Sequence, residues 1–176
     1  MTAPRGRRTT IAVLPVQAGQ EVSLEEVSGP LDTTIASSLA MELADIDPWH
    51  RYGFDAGRLE RFLSQPFADA QRLLLVAAEE RIAGIAVVRL NWLAGSYLNF
   101  LAILPAHQGS GIGGAFLDWM AGAGRERGER NQFVAATAFN TRALRLYDRH
   151  GFEQVAMLPG LIGDAETEIL LRRRLR

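Results

Sequence analysis

Residues Gln108-Gly109-Ser110-Gly111-Ile112-Gly113-Gly114 place four glycines in six positions, between an apolar run ending at Leu104-Pro105 and the start of a helical pattern. Glycine loses more backbone entropy on ordering than any other residue, so such a run is costly to fold. The usual return is close approach of the backbone to a ligand, with amide N–H groups left unobstructed. At the start of a helix the positive end of the helix dipole adds roughly 0.3–1 kcal/mol per interaction. Together these groups cradle a pyrophosphate without a lysine. That matters here, because all 19 Lys/Arg positions are arginine. The composition therefore excludes a Schiff-base lysine and a Walker-type phosphate lysine. Gly109, Gly111 and Gly114 also satisfy the dinucleotide fingerprint G-x-G-x-x-G, which wants an acid about 20 residues on, at the end of the next strand. The next strand, Phe133–Thr137, runs into Ala138-Phe139-Asn140, with no acid there. Too little chain remains for a doubly wound sheet, so the dinucleotide reading fails.

The other reactive side chains narrow the chemistry further. There is no cysteine, hence no disulfide, no thiolate metal site and no enzyme-bound thioester. His50, His107 and His150 lack metal-ligand spacing, so no metal is expected. Carboxylates that could act as a base are Glu42, Asp45, Asp47, Asp164, Glu166 and Glu168, which the sequence does not rank. Trp49 and Tyr52, beside Pro48, could wall a pocket or pack in the core; Asn99 could face a pocket or satisfy a strand. Arg172–Arg174 and Arg176 read as a solvated, charged end.

These residues need elements to position them. A chain of 176 residues with 48% hydrophobic content suits a single domain over 1–176 with one substantial core. The net charge of −1 argues against general nucleic-acid binding. The basic segment Met1–Thr10 leads into Ile11–Val16, a short apolar run interrupted by Pro15 and too short for a signal core. No stretch of about 18 apolar residues occurs. A cytoplasmic protein with no membrane or nucleic-acid partner is the expectation. The patterning predicts strands at Thr9–Val16, Arg72–Ala77, Ile82–Leu90, Ser96–Leu104, Gln132–Ala138, Phe152–Leu158 and Glu166–Leu171, with a turn at Gln17–Gln20. Helices are predicted at Asp32–Leu43, Asp55–Leu63, Gly111–Arg127 and Thr141–His150. Antiparallel strands thus precede one βαβ crossover, an α+β order rather than a repeated βαβ sheet.

Gln108-x-x-Gly111-x-Gly113 resembles the Q/R-x-x-G-x-G/A signature of the GNAT superfamily, the acyl-CoA-dependent N-acetyltransferases. Leu101-Ala102-Ile103-Leu104-Pro105 resembles the strand before that loop. Asn140-Thr141-Arg142-Ala143-Leu144 and Tyr147-Asp148-Arg149-His150-Gly151-Phe152 resemble its second motif. The resemblance covers roughly Gln71–Arg173. It implies a mixed, mostly antiparallel central sheet of about seven strands flanked by about four helices, with a parallel βαβ crossover at the cofactor site. It further implies acetyl-CoA as co-substrate, no metal, and transfer of the acetyl group to a primary amine by direct attack. A small-molecule acceptor is expected; the alternatives are a protein or peptide amine, or a non-catalytic CoA-binding regulatory module. A homodimer is a common base rate.

By the same resemblance the strands over Tyr97–Leu104 and Gln132–Ala138 run parallel and splay, leaving a gap for the pantetheine arm. Leu101, Ala102 and Ile103 would lie along that arm, with the Ile103 N–H near the thioester carbonyl. Gln108, Gly109, Ser110, Gly111, Ile112, Gly113 and Gly114 would surround the pyrophosphate, and Asn140, Leu144 and Tyr147 complete the implied cofactor set. Many relatives carry Arg or Lys where Ser110 stands; Arg142 or Arg145 could compensate. Tyr147 matches the usual proton donor to the leaving thiolate. A phenol near pKa 10 donating to a thiolate near 8.5 works uphill by about 2 kcal/mol, so it would help without being indispensable. A lysine-like amine, with pKa near 10.4, is neutral in only about one molecule in 2,500 at pH 7, a deficit of about 4.6 kcal/mol. A general base or water relay is therefore expected.

Overall fold

A computed structural model describes residues 6–16 and 21–176. The turn expected at Gln17–Gln20 lies outside the described residues. The elements run β1 (Arg7–Leu14), β2 (Val22–Ser28), α1 (Thr33–Ala44), α2 (Ala56–Ser64), β3 (Gln71–Ala78), β4 (Arg81–Arg89), β5 (Gly95–Ile103), a short 3-10 turn (Pro105–His107), α3 (Ile112–Glu126), β6 (Asn131–Thr137), α4 (Thr141–Arg149), β7 (Glu153–Pro159) and β8 (Thr167–Arg174). The first two helices start where short polar side chains cap them. Asp32 accepts from Thr34 N at 3.0 Å, and Asp55 from Arg58 N at 2.7 Å.

All the strands form one sheet in the order β1-β2-β3-β4-β5-β6-β8-β7. Every neighbouring pair is antiparallel except β5 and β6. The α+β architecture with one parallel crossover through α3 is therefore as expected. The sheet has eight strands, against about seven expected; β2 is the strand that the patterning does not predict. Its sequence, Val-Ser-Leu-Glu-Glu-Val-Ser, buries Val22, Leu24 and Val27 but places Glu25-Glu26 between them, which interrupts the period-2 apolar pattern. The charged end of the chain also differs from expectation. Arg172–Arg174 continue β8, an interior strand between β6 and β7, and Arg173 donates to Leu117 O at 3.4 Å. Strand pairing uses the backbone, so a run of arginines is no bar to it.

Two cores fill the two faces of the sheet. One joins Leu24, Leu74, Val88 and Leu98 to Phe116 and Met120 of α3 and Tyr147 of α4. The other packs Leu39, Leu43, Leu59 and Leu63 of α1 and α2 onto Leu75, Val87 and Phe100. Leu98 and Phe100 belong to opposite cores although two residues apart. The cause is a bulge: Val88 pairs with Leu98 and Val87 with Phe100, leaving Asn99 unopposed.

Candidate functional site

The parallel pair β5/β6 opens like a wedge. At its closed end a Cβ on Gly95 would stand 1.8 Å from Asn131 O, so only glycine permits that approach. Pairing continues through Leu98–Val134 and then stops. Beyond that point β5 keeps its ladder with β4, where Leu104 N donates to Ala83 O at 2.9 Å. Backbone groups alternate sides along a strand, so the N–H and C=O of Leu101 and Ile103 face away from β4, into the gap left by β6. Backbone groups turned out of water ordinarily have partners, and of these the Ile103 C=O has one in the side chain of Gln108.

The gap opens into a cavity of about 650 Å³, within the range of small-molecule sites. Asn99, Leu101, Ala102 and Ile103 line one wall, and Ala135 and Thr137 the other. The Oγ1 of Thr137 is buried and lacks a hydrogen-bond partner.

At one end lies the glycine loop, whose four glycines divide into two kinds. Gly109 (φ +84°) and Gly111 (φ +89°) adopt left-handed backbone, with open space around any added Cβ at Gly109 and only Val16 Cγ1, 3.9 Å away, near Gly111. Gly113 and Gly114 instead admit α4: a Cβ there would meet Leu146 Cδ2 at 3.3 Å and His150 Nε2 at 2.8 Å, respectively. The first backbone bond of α3 runs from Ala115 N to Gly111 O at 3.0 Å, and no side chain caps the helix. The N–H groups of Ile112, Gly113 and Gly114 thus have no intrahelical partner.

Gln108 ties this loop to both neighbours. Its Nε2 donates to Ile103 O at 2.9 Å, and its Oε1 accepts from Arg142 Nη1 at 2.6 Å. Arg142 is thereby held beside the loop. With Leu146 and Arg149 it forms one face of α4, and all three line the cavity. Asn140 lines the cavity too, but its Oδ1 is engaged in capping α4 through Ala143 N at 3.1 Å. Ile112, Gly113, Gly114 and Tyr147 also lie in the lining. Two expected residues do not. Ser110 turns its hydroxyl back onto His107 O at 2.6 Å. Leu144 faces a smaller depression with Asp148 and Phe152, because α4 presents its 142/146/149 face to the cavity instead.

The other end is enclosed by side chains from distant segments. The connection between α1 and α2 brings Asp47, Trp49, Tyr52 and Phe54 against Phe100, Phe139 and Glu168. Trp49 stacks on Phe100 with centroids 4.3 Å apart. Tyr52 lies 6.0 Å from the rings of both Phe54 and Phe139. The Tyr52 hydroxyl donates to Glu168, which is only 3% exposed. Arg51 fastens the same connection to Glu166, just before β8, at 2.9 Å, and lies 4.0 Å over the Phe139 ring. Of the candidate carboxylates, only Asp47 and Glu168 line the cavity. Phe139 and Arg149 escape sequence reasoning, although Phe139 immediately precedes the Asn140 cap.

Burial pushes the Glu168 carboxyl above its ordinary range; Glu166 adds to that, while the hydrogen bond from Tyr52 opposes it. Burial also raises the phenol of Tyr147, with a smaller contribution from Tyr97. Among the described residues no cluster of three or more His, Asp or Glu side chains could hold a metal, and no helix is long and apolar enough to cross a membrane.

A sequence model of the acetyltransferase (GNAT) family matches residues 38–152. The chain is 31% identical to streptothricin acetyltransferase from Streptomyces lavendulae over 86 residues, 48% of this chain and 46% of that one. The match therefore spans about half the length of that relative. In fold the chain is similar to the ribosomal-protein-S18-alanine N-acetyltransferase of Escherichia coli, with TM-score 0.64, 18% identity, and 88% and 94% of the two chains covered. It is also similar to a GNAT family acetyltransferase from Elizabethkingia anophelis with acetyl-CoA bound, with TM-score 0.56, 19% identity, and 60% and 77% covered. The wedge between β5 and β6, the glycine loop and the family match agree: this chain belongs to the GNAT family of acetyltransferases.

Proposed function

We propose that this protein transfers an acetyl group from acetyl-CoA to the primary amine of a small-molecule acceptor. The observation that carries the reading is the polarity of the cavity. Arg142, Arg149 and the unpaired amides of α3 stand at the glycine-loop end, and Asp47 and Glu168 at the other. An anionic cofactor and a cationic amine would each meet the complementary charge.

The residues present fit coenzyme A on three counts. The glycine loop leaves side-chain-free space for a pyrophosphate, the gap offers the N–H and C=O of Leu101 and the N–H of Ile103 to an amide-bearing arm, and Thr137 Oγ1 awaits a partner. Gly109, Gly111, Ile112, Gly113 and Gly114 would hold the pyrophosphate, with Arg142 supplying the charge that Ser110 does not. Bound acetyl-CoA supplies the acetyl group as a thioester, already activated for attack by nitrogen.

The protein's own groups then have separate tasks. The Ile103 N–H faces the gap, where it can donate to a carbonyl oxygen gaining negative charge. Glu168 receives the proton that the ammonium must lose. Its raised pKa brings it closer to neutrality, which makes it a better base at physiological pH than an ordinary carboxylate. Tyr147 offers its hydroxyl to the departing sulfur. Since burial makes this phenol a weaker acid, it acts as a hydrogen-bond donor to the thiolate more than as a full proton source.

A small acceptor is favoured because the α1–α2 connection is tied down over the cavity by Tyr52–Glu168 and Arg51–Glu166. A peptide would need that side open. Thiol release from acetyl-CoA, measured across small amines and across peptides with free N-termini, tests the reading. Turnover of small amines is expected; turnover of peptides alone would overturn it.

A further inference from the structure

The acceptor end holds more than an amine requires. Two groups of rings, the stacked Trp49 and Phe100 and the contacting Tyr52, Phe54 and Phe139, line this end together with one buried carboxylate, Glu168. Flat apolar walls reward a flat apolar ligand, by area removed from water and by ring–ring geometry.

The charges at this end are as selective as the rings. Arg51 is the one cation there among the described residues that contact Phe139, and it is already committed. Its Nη2 lies 2.9 Å from Glu166, and its guanidinium covers a face of Phe139 at 4.0 Å. Arg58 covers Phe54 in the same way, at 3.7 Å, and neither arginine lines the cavity; among the described residues lining this end there is no cation to meet a carboxylate or phosphate on the acceptor. Glu168 is the one buried anion in the lining, enough for a single ammonium group. A second ammonium would find only the exposed carboxylate of Asp47, and an ion pair in water contributes little against the cost of bringing another charge up to ring surface.

We propose, on the basis of the acetyl-transfer reading above, that the acceptor is an arylalkylamine: one primary amine on a short arm from an aromatic body that carries no acidic group. The ring lies among Trp49, Tyr52 and Phe139, and the nitrogen reaches Glu168. This narrows the acceptor to a class that excludes polyamines, free amino acids and peptide N-termini.

The test compares 2-phenylethylamine with n-butylamine, spermidine, phenylalanine and an alanine-terminated tripeptide. Each is assayed for thiol release from acetyl-CoA and titrated calorimetrically into the protein saturated with coenzyme A. The expected result is a kcat/KM for 2-phenylethylamine at least about tenfold above each of the others, with a matching order of affinities. Phe139→Leu keeps apolar volume at the wall while removing the ring, so it is expected to shrink the advantage of 2-phenylethylamine over n-butylamine to below about threefold. Equal or better use of spermidine, phenylalanine or the tripeptide would overturn the proposal, as would an advantage untouched by Phe139→Leu. If coenzyme A binds and a different amine class is preferred, only the acceptor class falls. If coenzyme A itself fails to bind, acetyl transfer falls and this inference with it.

Discussion

At one end of the cavity the ligand-facing groups are mostly backbone amides from one continuous stretch, Gln108–Gly114; at the other they are the side chains of Asp47, Tyr52, Phe100, Phe139 and Glu168, brought together only by the fold. On the proposed function, the difference would separate binding from chemistry. Backbone groups, whose geometry depends on φ and on helix packing, would hold whatever presents a phosphate. Side chains from scattered segments would choose the acceptor and manage its proton. If this division is right, substitutions at the two ends should damage different quantities.

The largest separation is expected from Glu168→Gln. The amide keeps the shape but cannot accept the proton, so kcat should fall by about 10²–10⁴-fold, the range for a positioned base. Calorimetric affinity for acetyl-CoA should stay within about twofold. A parallel loss of cofactor binding would erase the division between the ends.

Gly111→Val should do the converse. A β-branched residue at φ +89° is strained by the order of 1–3 kcal/mol, so the loop must rearrange or lose its form. Coenzyme A binding is expected to weaken by about 10–100-fold, by the equivalence of 1.4 kcal/mol to a factor of ten. The nearest atom to the new Cβ is Val16 Cγ1 at 3.9 Å, so the damage would come from backbone conformation and not from a clash within the protein. Unchanged affinity would remove the loop from the cofactor site.

Tyr147→Phe lies between the ends and should show a smaller effect, about tenfold on kcat, because a phenol raised by burial donates a hydrogen bond more readily than a proton. Single-turnover kinetics would show it. An unaltered chemical step would assign Tyr147 to packing, where it already meets Phe152 at 5.6 Å.

The smallest effect sharpens the acceptor end alone. The hydrogen bond from Tyr52 lowers the Glu168 pKa against the push of burial. A base must be ionised, so activity falls as pH drops through that pKa. Removing the bond with Tyr52→Phe lets the pKa rise, and the acidic limb of the kcat profile should move to higher pH. A limb that stays put, or moves lower, would show that Glu168 is not the titrating base.

The cofactor end was far more legible in the sequence than the acceptor end, for the same structural reason. Gly109–Gly114 is contiguous, and the following Asn140 and Tyr147 lie on one helix and its cap, so the resemblance to the family's motifs can be carried by short stretches of sequence. Even so, spacing could not show that Gly113 and Gly114 make room for Leu146 and His150, or that Gln108 spends its side chain on Ile103 and Arg142. The Asn99 bulge was invisible because it depends on the register of β4 against β5. Glu168 could not be told from five other carboxylates, since what singles it out is burial and a hydroxyl 116 residues away. Phe139 gave no signal of its own. The strand β2 and the extension of β8 through Arg172–Arg174 were lost because charged residues mask a pattern that sheet pairing does not require.

Amide hydrogen exchange with and without coenzyme A tests the central claim most directly. Slower exchange on adding coenzyme A is predicted over Asn99–Ile103 and Gly109–Gly114, where unpaired backbone groups face the gap and the loop. The aromatic end around Trp49–Phe54 should change little until an amine is added. Protection confined to that aromatic end, with the glycine loop unaffected, would contradict the account.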